Sequence, residues 1–369
     1  MKYFKLLICL FFIENLAAQP IPDTGISGVY EVLIGVSDVA YAKAYFADFG
    51  FSVVDSATLS AADALKLYGV NSALKSYRLQ NGAMDSHGLL RFLVWEKSLG
   101  EGVGYAMPET VGQRLAVMMT TDINRLYDIY SYARQNKKSG TWLPTPPVSD
   151  DLFGLNKGGD NDFFKRPILV KENAVYGAFF NHVFFQRNGY AIPGYGTINP
   201  NAPLKTSEFT HHDFMIQVKN MSDLSYLRDV LGLKSEGEPS IDGDWMAGPR
   251  VTFMMEGGYS HWYQGWVSPN NICGKLKFFM ATSPKPDRSA HQRVGELGIT
   301  LHSFYTAKLA MVHELATKNG LKPTAILPNE FGEKCFLFRG TEGSTWQIIE
   351  KSETKNKPVL KLETKLTKD

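Results

Sequence analysis

Hydrophobic and polar residues alternate along the chain in a pattern that recurs four times. In the first occurrence, Val32, Ile34 and Val36 occupy every second position, which is typical of a half-buried strand. Asp38 then fits a helix N-cap, and apolar residues follow at three- and four-residue spacing until Gly50. Further strand-like stretches come after this glycine. Each occurrence is therefore predicted to be a strand, a helix and several more strands.

An internal repeat connects these occurrences. In two places, the glycine that ends the predicted helix lies at the same distance from the start of the predicted first strand; these glycines are Gly50 and Gly232. The segment 111–136 also aligns without a gap with 294–319. Because an internal repeat decides the architecture before any short motif does, we treat the chain as an array of similar units. The units span residues 28–98, 111–188, 209–283 and 294–351.

The predicted fold class is α+β, with four βαβββ modules paired into two cup-shaped curved mixed sheets. A helix covers only one face of so small a sheet, and the other face must curl around a cavity or meet a partner. We expect neighbouring units to pair, giving a first pair over 28–188 and a second over 209–351. The segment 189–208 is rich in Asn, Pro and Gly and is predicted to be the linker, and 352–369 a flexible tail.

The N-terminus has the pattern of an export signal. Lys2 and Lys5 precede an apolar stretch over 6–13, and Leu16-Ala17-Ala18, with its two small alanines, fits a cleavage site before Gln19. The stretch is too short to cross a bilayer as a helix. Residues 1–18 are therefore predicted to be a signal peptide, and the mature protein to be periplasmic or secreted without a membrane anchor.

Composition narrows the function classes. The chain has 369 residues, 44% of them hydrophobic and 21% charged, with a net charge of +2. These values are typical of a globular protein, and the absence of a basic face argues against nucleic-acid binding. After signal cleavage two cysteines remain, Cys273 and Cys335, and either a disulfide or two buried thiols fits the sequence. A small molecule is the expected partner, and a homodimer is left open.

Three segments together resemble one known superfamily. The stretch 213–233 resembles the opening of a module of the vicinal oxygen chelate superfamily, 343–350 is similar to its closing strand, and the turn 319–321 is typical of it. The superfamily includes glyoxalase I, bleomycin-resistance proteins and extradiol dioxygenases. The resemblance implies a small organic substrate and either ring-cleaving dioxygenase or glyoxalase-like lyase chemistry. A metal-free binding protein of the bleomycin-resistance type is the alternative, and a degenerate site the third reading.

The resemblance also implies positions for a metal. In metal-bearing relatives a His on the first strand and a Glu on the last strand of a module point into the cup. Transferred to this chain, these positions hold Asp213, Glu296 and Gln347, with Glu31 as the equivalent in the first unit. Oxygen-only ligands favour Mg, Mn or Ca, whereas the two-His-one-carboxylate set that suits Fe is not in register. The same residues also fit a pocket that binds no metal.

Strand parity assigns side chains to the cup predicted for units three and four. If Phe214 faces the helix, the odd-numbered residues of this strand face the cup, and in unit four Glu296, Thr300 and His302 do. His302 is the candidate catalytic residue because imidazole transfers protons near neutral pH, although a buried structural histidine fits as well. The segment 257–266 is rich in aromatic residues, which fits either a lid over a substrate or ordinary packing. The candidate substrate-binding residues are His211, Met215, Gln217, Thr300, His261, Trp262 and Tyr263.

Overall fold

The computed structural model describes residues 20–136, 142–150, 169–192, 194–236, 240–242, 252–254, 261–270, 274–351 and 363–364. The predicted signal peptide, Cys273 and most of the predicted tail lie outside these ranges, so the export and disulfide predictions are not tested by the fold. None of the helices in the described part of the chain is long and apolar enough to cross a membrane.

Local sequence signals set the elements of the first module. Asp38 caps α1, since its side chain accepts a hydrogen bond from the N–H of Tyr41 at 2.9 Å. Ser60 caps α2 in the same way, and Gly69 ends that helix with a φ of 73°, a conformation that favours glycine. The elements of module 1 are β1 (Glu31–Gly35), α1 (Val39–Asp48), β2 (Phe51–Leu59), α2 (Ala61–Tyr68), β3 (Leu74–Asn81) and β4 (Leu89–Trp95).

The other three modules repeat this plan with local differences. Module 2 consists of β5 (Arg114–Thr120), α3 (Ile123–Asn136), β6 (Trp142–Pro144), β7 (Val148–Asp150), β8 (Leu169–Gly177) and β9 (His182–Asn188), and the short β10 (Tyr190–Ala191) follows it. Module 3 consists of β11 (Thr206–Met215), a 3₁₀ turn (Met221–Ser225), α4 (Tyr226–Asp229), β12 (Lys234–Ser235), β13 (Ser240–Asp242), β14 (His261–Val267) and β15 (Lys275–Ala281). Module 4 consists of β16 (Gly298–Thr306), α5 (Leu309–Lys318), β17 (Leu327–Pro328), β18 (Lys334–Arg339) and β19 (Thr345–Glu350), and β20 (Glu363–Thr364) pairs with β10.

The strands of the four modules form two large mixed sheets, which confirms the predicted fold class. The order β17-β18-β19-β16-β1-β4-β3-β2 joins module 4 to module 1. The order β12-β14-β15-β11-β5-β9-β8-β6 joins module 3 to module 2, with β13 and β7 attached at its sides. The expected pairs over 28–188 and 209–351 are therefore wrong as sheet partners. The repeat describes each module internally, whereas the partner depends on which first strands meet edge to edge, at β1–β16 and β5–β11.

Two connections carry the chain between the sheets, and they run side by side. One leads from module 1 to module 2 and the other from module 3 to module 4. They touch through the isolated bridges Gly100↔Glu296 and Val111↔Asp287. The N–H of Leu297 also donates to the carbonyl of Gly100 at 3.0 Å. The chain thus leaves the first sheet after module 1 and returns to it only for module 4.

Apolar residues pack on both faces of each sheet. Between the sheets, α1 and α3 share one core through residues such as Phe46 and Leu126, and α4 and α5 share another through Leu227 and Val312. Sequence neighbours thus meet through their helices rather than through a sheet. The opposite, concave faces form two cups with separate apolar clusters. We call the concave face of the module 1–4 sheet cup A and that of the module 2–3 sheet cup B.

Histidines are buried in the core between the sheets. The ring of His182 lies between those of Phe49 and Phe184, each with a centroid distance of 5.2 Å. Neither ring nitrogen of His182 has a hydrogen-bond partner within the described residues. Burial lowers the pKa of His182 to about 3, and it does the same for His212. These side chains are therefore neutral in the folded protein at any ordinary pH.

We expect His182→Phe to make the protein more resistant to mild acid. The folded pKa of His182 lies below the unfolded value near 6.5, so the unfolded chain binds the proton first as the pH falls, and stability is lost below that value. Each such histidine contributes a slope of at most about 1.4 kcal/mol per pH unit. Urea unfolding from pH 8 to pH 5 should show a shallower loss for the variant than for wild type. His291→Asn, at an exposed histidine, serves as the control, and equal slopes in all three proteins would contradict the expectation.

Candidate functional site

The interior of cup A is filled by a buried ion-pair network centred on Glu31. Arg78 Nε donates to Glu31 Oε1 at 2.5 Å, and Arg91 donates to both carboxylate oxygens. Ser303 Oγ adds a hydrogen bond at 2.9 Å. Glu31 and Arg91 are completely buried. Burial by itself opposes ionisation, but the two guanidinium groups outweigh it and lower the pKa of Glu31 to about 2.

Further polar groups extend this network to the rim of the cup. Arg91 Nη1 donates to Glu330 Oε1 and to Gln347 Oε1, each at 3.2 Å. The hydroxyl of Tyr68 donates to Glu330 at 2.8 Å, and Gln347 Nε2 donates to that hydroxyl at 3.3 Å. Tyr68 belongs to α2, whose residues Ala64 and Leu67 pack in the apolar cluster of this cup. An inserted helix thus closes a cup that charged side chains already fill.

Arg91 occupies in module 1 the position that Gln347 occupies in module 4. Leu33 lies six residues before the start of α1 and Ser303 six residues before the start of α5. Arg91 is the parallel neighbour of Leu33, and Gln347 is the parallel neighbour of Ser303. This is the last-strand position at which the superfamily resemblance implies a metal-binding carboxylate. A guanidinium group there repels a divalent cation and already satisfies Glu31, so the residues of cup A do not fit a metal.

The same count places apolar side chains at the corresponding positions of cup B. Met215 lies six residues before the 3₁₀ turn of module 3 and Val117 six residues before α3. The last-strand positions fall on Phe279, beside Met215, and on Val183, beside Val117. Asp213 and Glu172 both interact with Lys277 on this face, and an ammonium group beside the two carboxylates repels a divalent ion. Within the described residues, no group of three or more His, Cys, Asp or Glu side chains lies close enough to bind a metal ion.

Cup B nevertheless contains polar atoms that are buried and lack hydrogen-bond partners. Asp213 Oδ1 and His211 Nε2 lie 3.8 Å apart, and neither makes a hydrogen bond within the described part of the chain. The other ring nitrogen of His211, Nδ1, lies 2.6 Å from the hydroxyl of Tyr195. The hydroxyl of Tyr176 also has no described partner. Unsatisfied buried polar atoms are rare in folded proteins, and several in one hollow require an explanation.

The pKa values of these groups are strongly shifted. Burial raises the pKa of Asp213 to about 7, with the nearby Lys277 opposing the rise. Burial, followed by the charges of Lys277 and Lys275, lowers the pKa of His211 well below its usual value. A carboxyl group that titrates near neutral pH inside a cavity is a common property of functional sites.

Apolar and aromatic side chains make up the walls around these polar groups. Met215 of β11 packs with Val117 and Val183 of module 2, and Phe279 of β15 joins them. Tyr263 of β14 packs against the same cluster, with its ring 5.2 Å from that of Phe279. Cup B therefore combines an apolar body with a small set of convergent polar atoms, as ligand sites commonly do.

Some of the predicted site residues meet in cup B, although modules 2 and 3 form it rather than units three and four. His211, Asp213 and Met215 line it, and β14 places Tyr263 and His261 at the same side, where the His261 ring lies 6.3 Å from that of Phe279. The parity predicted for β11 is confirmed, since Phe214 packs in the core between the sheets.

The other predicted residues lie elsewhere. Gln347 points into cup A, so it cannot share a metal with Asp213. Glu296 lies in the connection before β16, where Arg293 Nη2 donates to it at 2.7 Å. Trp262 packs against the core between the sheets, and Gln217 is exposed beyond the end of β11. The predicted ligand set is therefore wrong, because its members belong to two different sheets and a connection.

A β-bulge explains the different position of His302. The pairing of β1 with β16 shifts between Leu33↔Leu301 and Ile34↔Ile299, which leaves Thr300 as the extra residue. One extra residue reverses the facing of every side chain beyond it. Leu301 therefore faces cup A, and His302 faces the core between the sheets, with its ring 4.8 Å from that of His212. His302 is not in a cup, contrary to the prediction.

Several cup residues were missed from the sequence. Lys277 and Phe279 alternate on β15 in a pattern that could have placed them beside Asp213, and Arg91 interrupts an apolar strand, which is itself a signal of a buried ion pair. Tyr176 and Tyr195 carry no such signal. Tyr176 belongs to module 2 and Tyr195 to the segment after it, and only the fold shows that module 2 shares a sheet with module 3.

We expect Glu31→Gln to destabilise the protein strongly. The neutral amide leaves two buried guanidinium groups without their main counter-charge, which costs roughly 3–5 kcal/mol in free energy of unfolding. Urea unfolding at pH 7 measures this loss. Because the folded pKa of Glu31 lies below its unfolded value, the contribution is complete above about pH 4.5 and disappears as the pH falls toward 2.

Glu314→Gln is the matched control for this experiment. Glu314 pairs with Lys318 at 2.6 Å, but both side chains are exposed. Removing this pair should change the free energy of unfolding by less than about 1 kcal/mol. Similar losses in the two variants would show that the cup A network does not carry the stability assigned to it.

Solved structures with a similar fold come from several organisms. A candidate dioxygenase from Bacillus subtilis superposes with a TM-score of 0.51 at 10% sequence identity, over 88% of this chain and 86% of that one. Glyoxalase I from Zea mays gives a TM-score of 0.47 at 11% identity, over 88% of this chain and 92% of that one. A glyoxalase family protein from Bacillus cereus covers 36% of this chain and 87% of its own length, at 21% identity and a TM-score of 0.30.

No protein-family model matches the sequence, and no curated protein matches it either. At such low identity the structural likeness shows the fold and not the activity. The module order, the two curved mixed sheets and the superposition over most of both chains agree with the resemblance seen in the sequence. The chain therefore has the four-module fold of the vicinal oxygen chelate superfamily.

Proposed function

We propose that this protein binds a small organic molecule in cup B without a metal. The observation that carries the proposal is a pair of buried polar atoms, His211 Nε2 and Asp213 Oδ1, which have no hydrogen-bond partner among the described residues and lie beside the apolar and aromatic cluster of this cup. Such atoms cost free energy in the folded protein unless a ligand or water satisfies them. Cup A is a weaker candidate, because its charged groups satisfy one another and α2 closes it.

The donor sets favour ligand binding over metal-assisted ring cleavage or lyase chemistry. Arg91 stands at a carboxylate position in cup A, and Phe279 and Val183 stand at those positions in cup B. This supports the metal-free alternative that the sequence left open, a protein that holds its ligand as bleomycin-resistance proteins do. The bound molecule is expected to fill the apolar body of cup B with its carbon skeleton.

The separation of the two polar atoms indicates the group that they bind. One oxygen atom can lie about 2.8 Å from both atoms of a pair 3.8 Å apart. A hydroxyl group both donates and accepts hydrogen bonds, so it can donate to the Asp213 carboxylate and accept from Nε2–H of His211, the tautomer in which Nδ1 accepts from the Tyr195 hydroxyl. The proposed ligand is therefore an apolar or aromatic molecule that carries a hydroxyl group, such as a phenol.

We expect the purified mature protein to bind phenols more tightly than their methyl ethers, which cannot donate a hydrogen bond. In Asp213→Asn this preference should fall about tenfold, the value of one charge-assisted hydrogen bond. An ionised carboxylate is the stronger acceptor, so the phenol affinity of wild type should rise from pH 6 to pH 8 and that of the variant should not. Isothermal titration with paired phenols and anisoles measures both effects.

Asp128→Asn, at an exposed position of α3, is the matched control for the loss of one carboxylate. It should keep both the preference for phenols and the pH dependence. Equal affinities for phenols and ethers in wild type, or an unchanged preference in Asp213→Asn, would contradict the proposed site.

We also propose that the protein is exported, on the sequence pattern of residues 1–18. Fusing these residues to a reporter enzyme that is active only outside the cytoplasm should give activity, and Leu7→Arg, which interrupts the apolar stretch, should abolish it. N-terminal sequencing of the exported protein should begin near Gln19. A reporter that stays inactive with the intact segment would end this part of the proposal.

A further inference from the structure

A second hollow lies outside both cups, on the helix side of module 1 and module 2. It is a cleft of about 290 Å³ between α1 and α3, with β6 at its end. The volume is near the lower limit of small-molecule sites, about 300 Å³, so the cleft suits a compact group. Its mouth is open, since Tyr41 is 39% exposed and Ile129 is 40% exposed. The residues that line it are Tyr41, Ala44, Tyr45, Asp48, Phe49, Ile129, Tyr130, Ala133, Trp142 and Leu204.

Aromatic rings make up much of the wall, and their positions are fixed by contacts among them. The ring of Tyr45 is stacked on that of Trp142, with a centroid distance of 5.2 Å and an angle of 5°. The ring of Tyr130 lies 5.2 Å from the same indole at 60°. The hydroxyl groups of Tyr45 and Tyr130 are hydrogen bonded to each other, which ties α1 to α3. The electron-rich faces of such rings attract cations.

Among the described residues that line the cleft, the charge has one sign. Asp48 is the one Asp, Glu, Lys or Arg side chain among the described lining residues, and it makes no ion pair within the part of the chain that the structure describes. It is also the last residue of α1, so the negative end of the helix dipole lies at the same end of the cleft. Aromatic faces and this carboxylate together attract a positive group, and the apolar lining favours a cation that is itself covered by carbon.

We propose that this cleft binds a methylated ammonium group, such as the head group of choline. The positive charge would lie against the rings of Tyr41, Tyr45 and Tyr130, with Asp48 as its counter-charge. Methyl groups spread the charge over an apolar surface that matches the lining, whereas a bare ammonium ion would lose its hydration without replacement. The site is independent of the ligand proposed for cup B, since it shares no residue with that cup.

Choline and its uncharged isostere 3,3-dimethyl-1-butanol test this proposal on the full mature chain. Choline should bind with a Kd on the order of 1 mM or tighter, and the isostere about tenfold or more weakly. Saturation-transfer NMR should show the N-methyl protons of choline in contact with the protein. Vesicles of phosphatidylcholine form a second arm: binding that free choline blocks would identify a lipid as the source of the group, and choline binding without vesicle binding would identify a free compound.

Asp48→Asn and Tyr41→Ala are the variants to compare, because both side chains are exposed and their loss should leave folding intact. Each should weaken choline binding by about threefold to tenfold. Asp128→Asn, an exposed carboxylate on α3 outside the lining, and Asp213→Asn in cup B should leave it unchanged. Equal binding of choline and its isostere, no binding of either choline or vesicles, or choline binding that neither Asp48→Asn nor Tyr41→Ala weakens would overturn the proposal.

Discussion

The edge-to-edge pairing of first strands is the constraint on which the rest of this structure depends. β1 pairs antiparallel with β16, and β5 pairs antiparallel with β11, so each cup is made by the outermost or by the innermost two modules of the chain. A sheet of one module would leave an edge and a concave face unpaired. Joining two modules removes the edge and creates the hollow in one step. The same strand pairing also fixes which side chains converge in each cup.

The two cups built in this way have opposite electrostatic characters. In cup A, Glu31, Arg78 and Arg91 are buried together and satisfy one another, so the charge that the fold could direct at a ligand is used internally. In cup B, Asp213 Oδ1 and His211 Nε2 are buried without hydrogen-bond partners among the described residues, and burial raises the pKa of the Asp213 carboxyl group to about 7. The same architecture thus gives one closed, structural cup and one with unsatisfied polar atoms.

The cleft between α1 and α3 follows from the other contact between modules. Modules 1 and 2 are neighbours in sequence but lie in different sheets, and they meet through their helices in the core that contains Phe46 and Leu126. At the exposed end of this contact, tyrosines and Trp142 line a surface that the core does not fill. The cleft thus lies where two modules meet through helices, whereas cup B lies where two modules meet through strands.

The sequence by itself determined the local structure of each module and the superfamily fold. Alternation from Val32 to Val36, the cap at Asp38 and the glycine at Gly50 are short-range signals, and the fold confirms them. The inward facing of Asp213 followed from the same two-residue period. Module partnership did not follow, because edge strands of repeated modules carry the same pattern and only the path of the chain selects among them. The direction in which His302 faces depended on one extra residue at Thr300. The position of Arg91 beside Glu31 depended on two strands that meet only in the folded sheet. Tertiary structure decided these points because each is a contact between residues far apart in the chain, where periodicity holds no information.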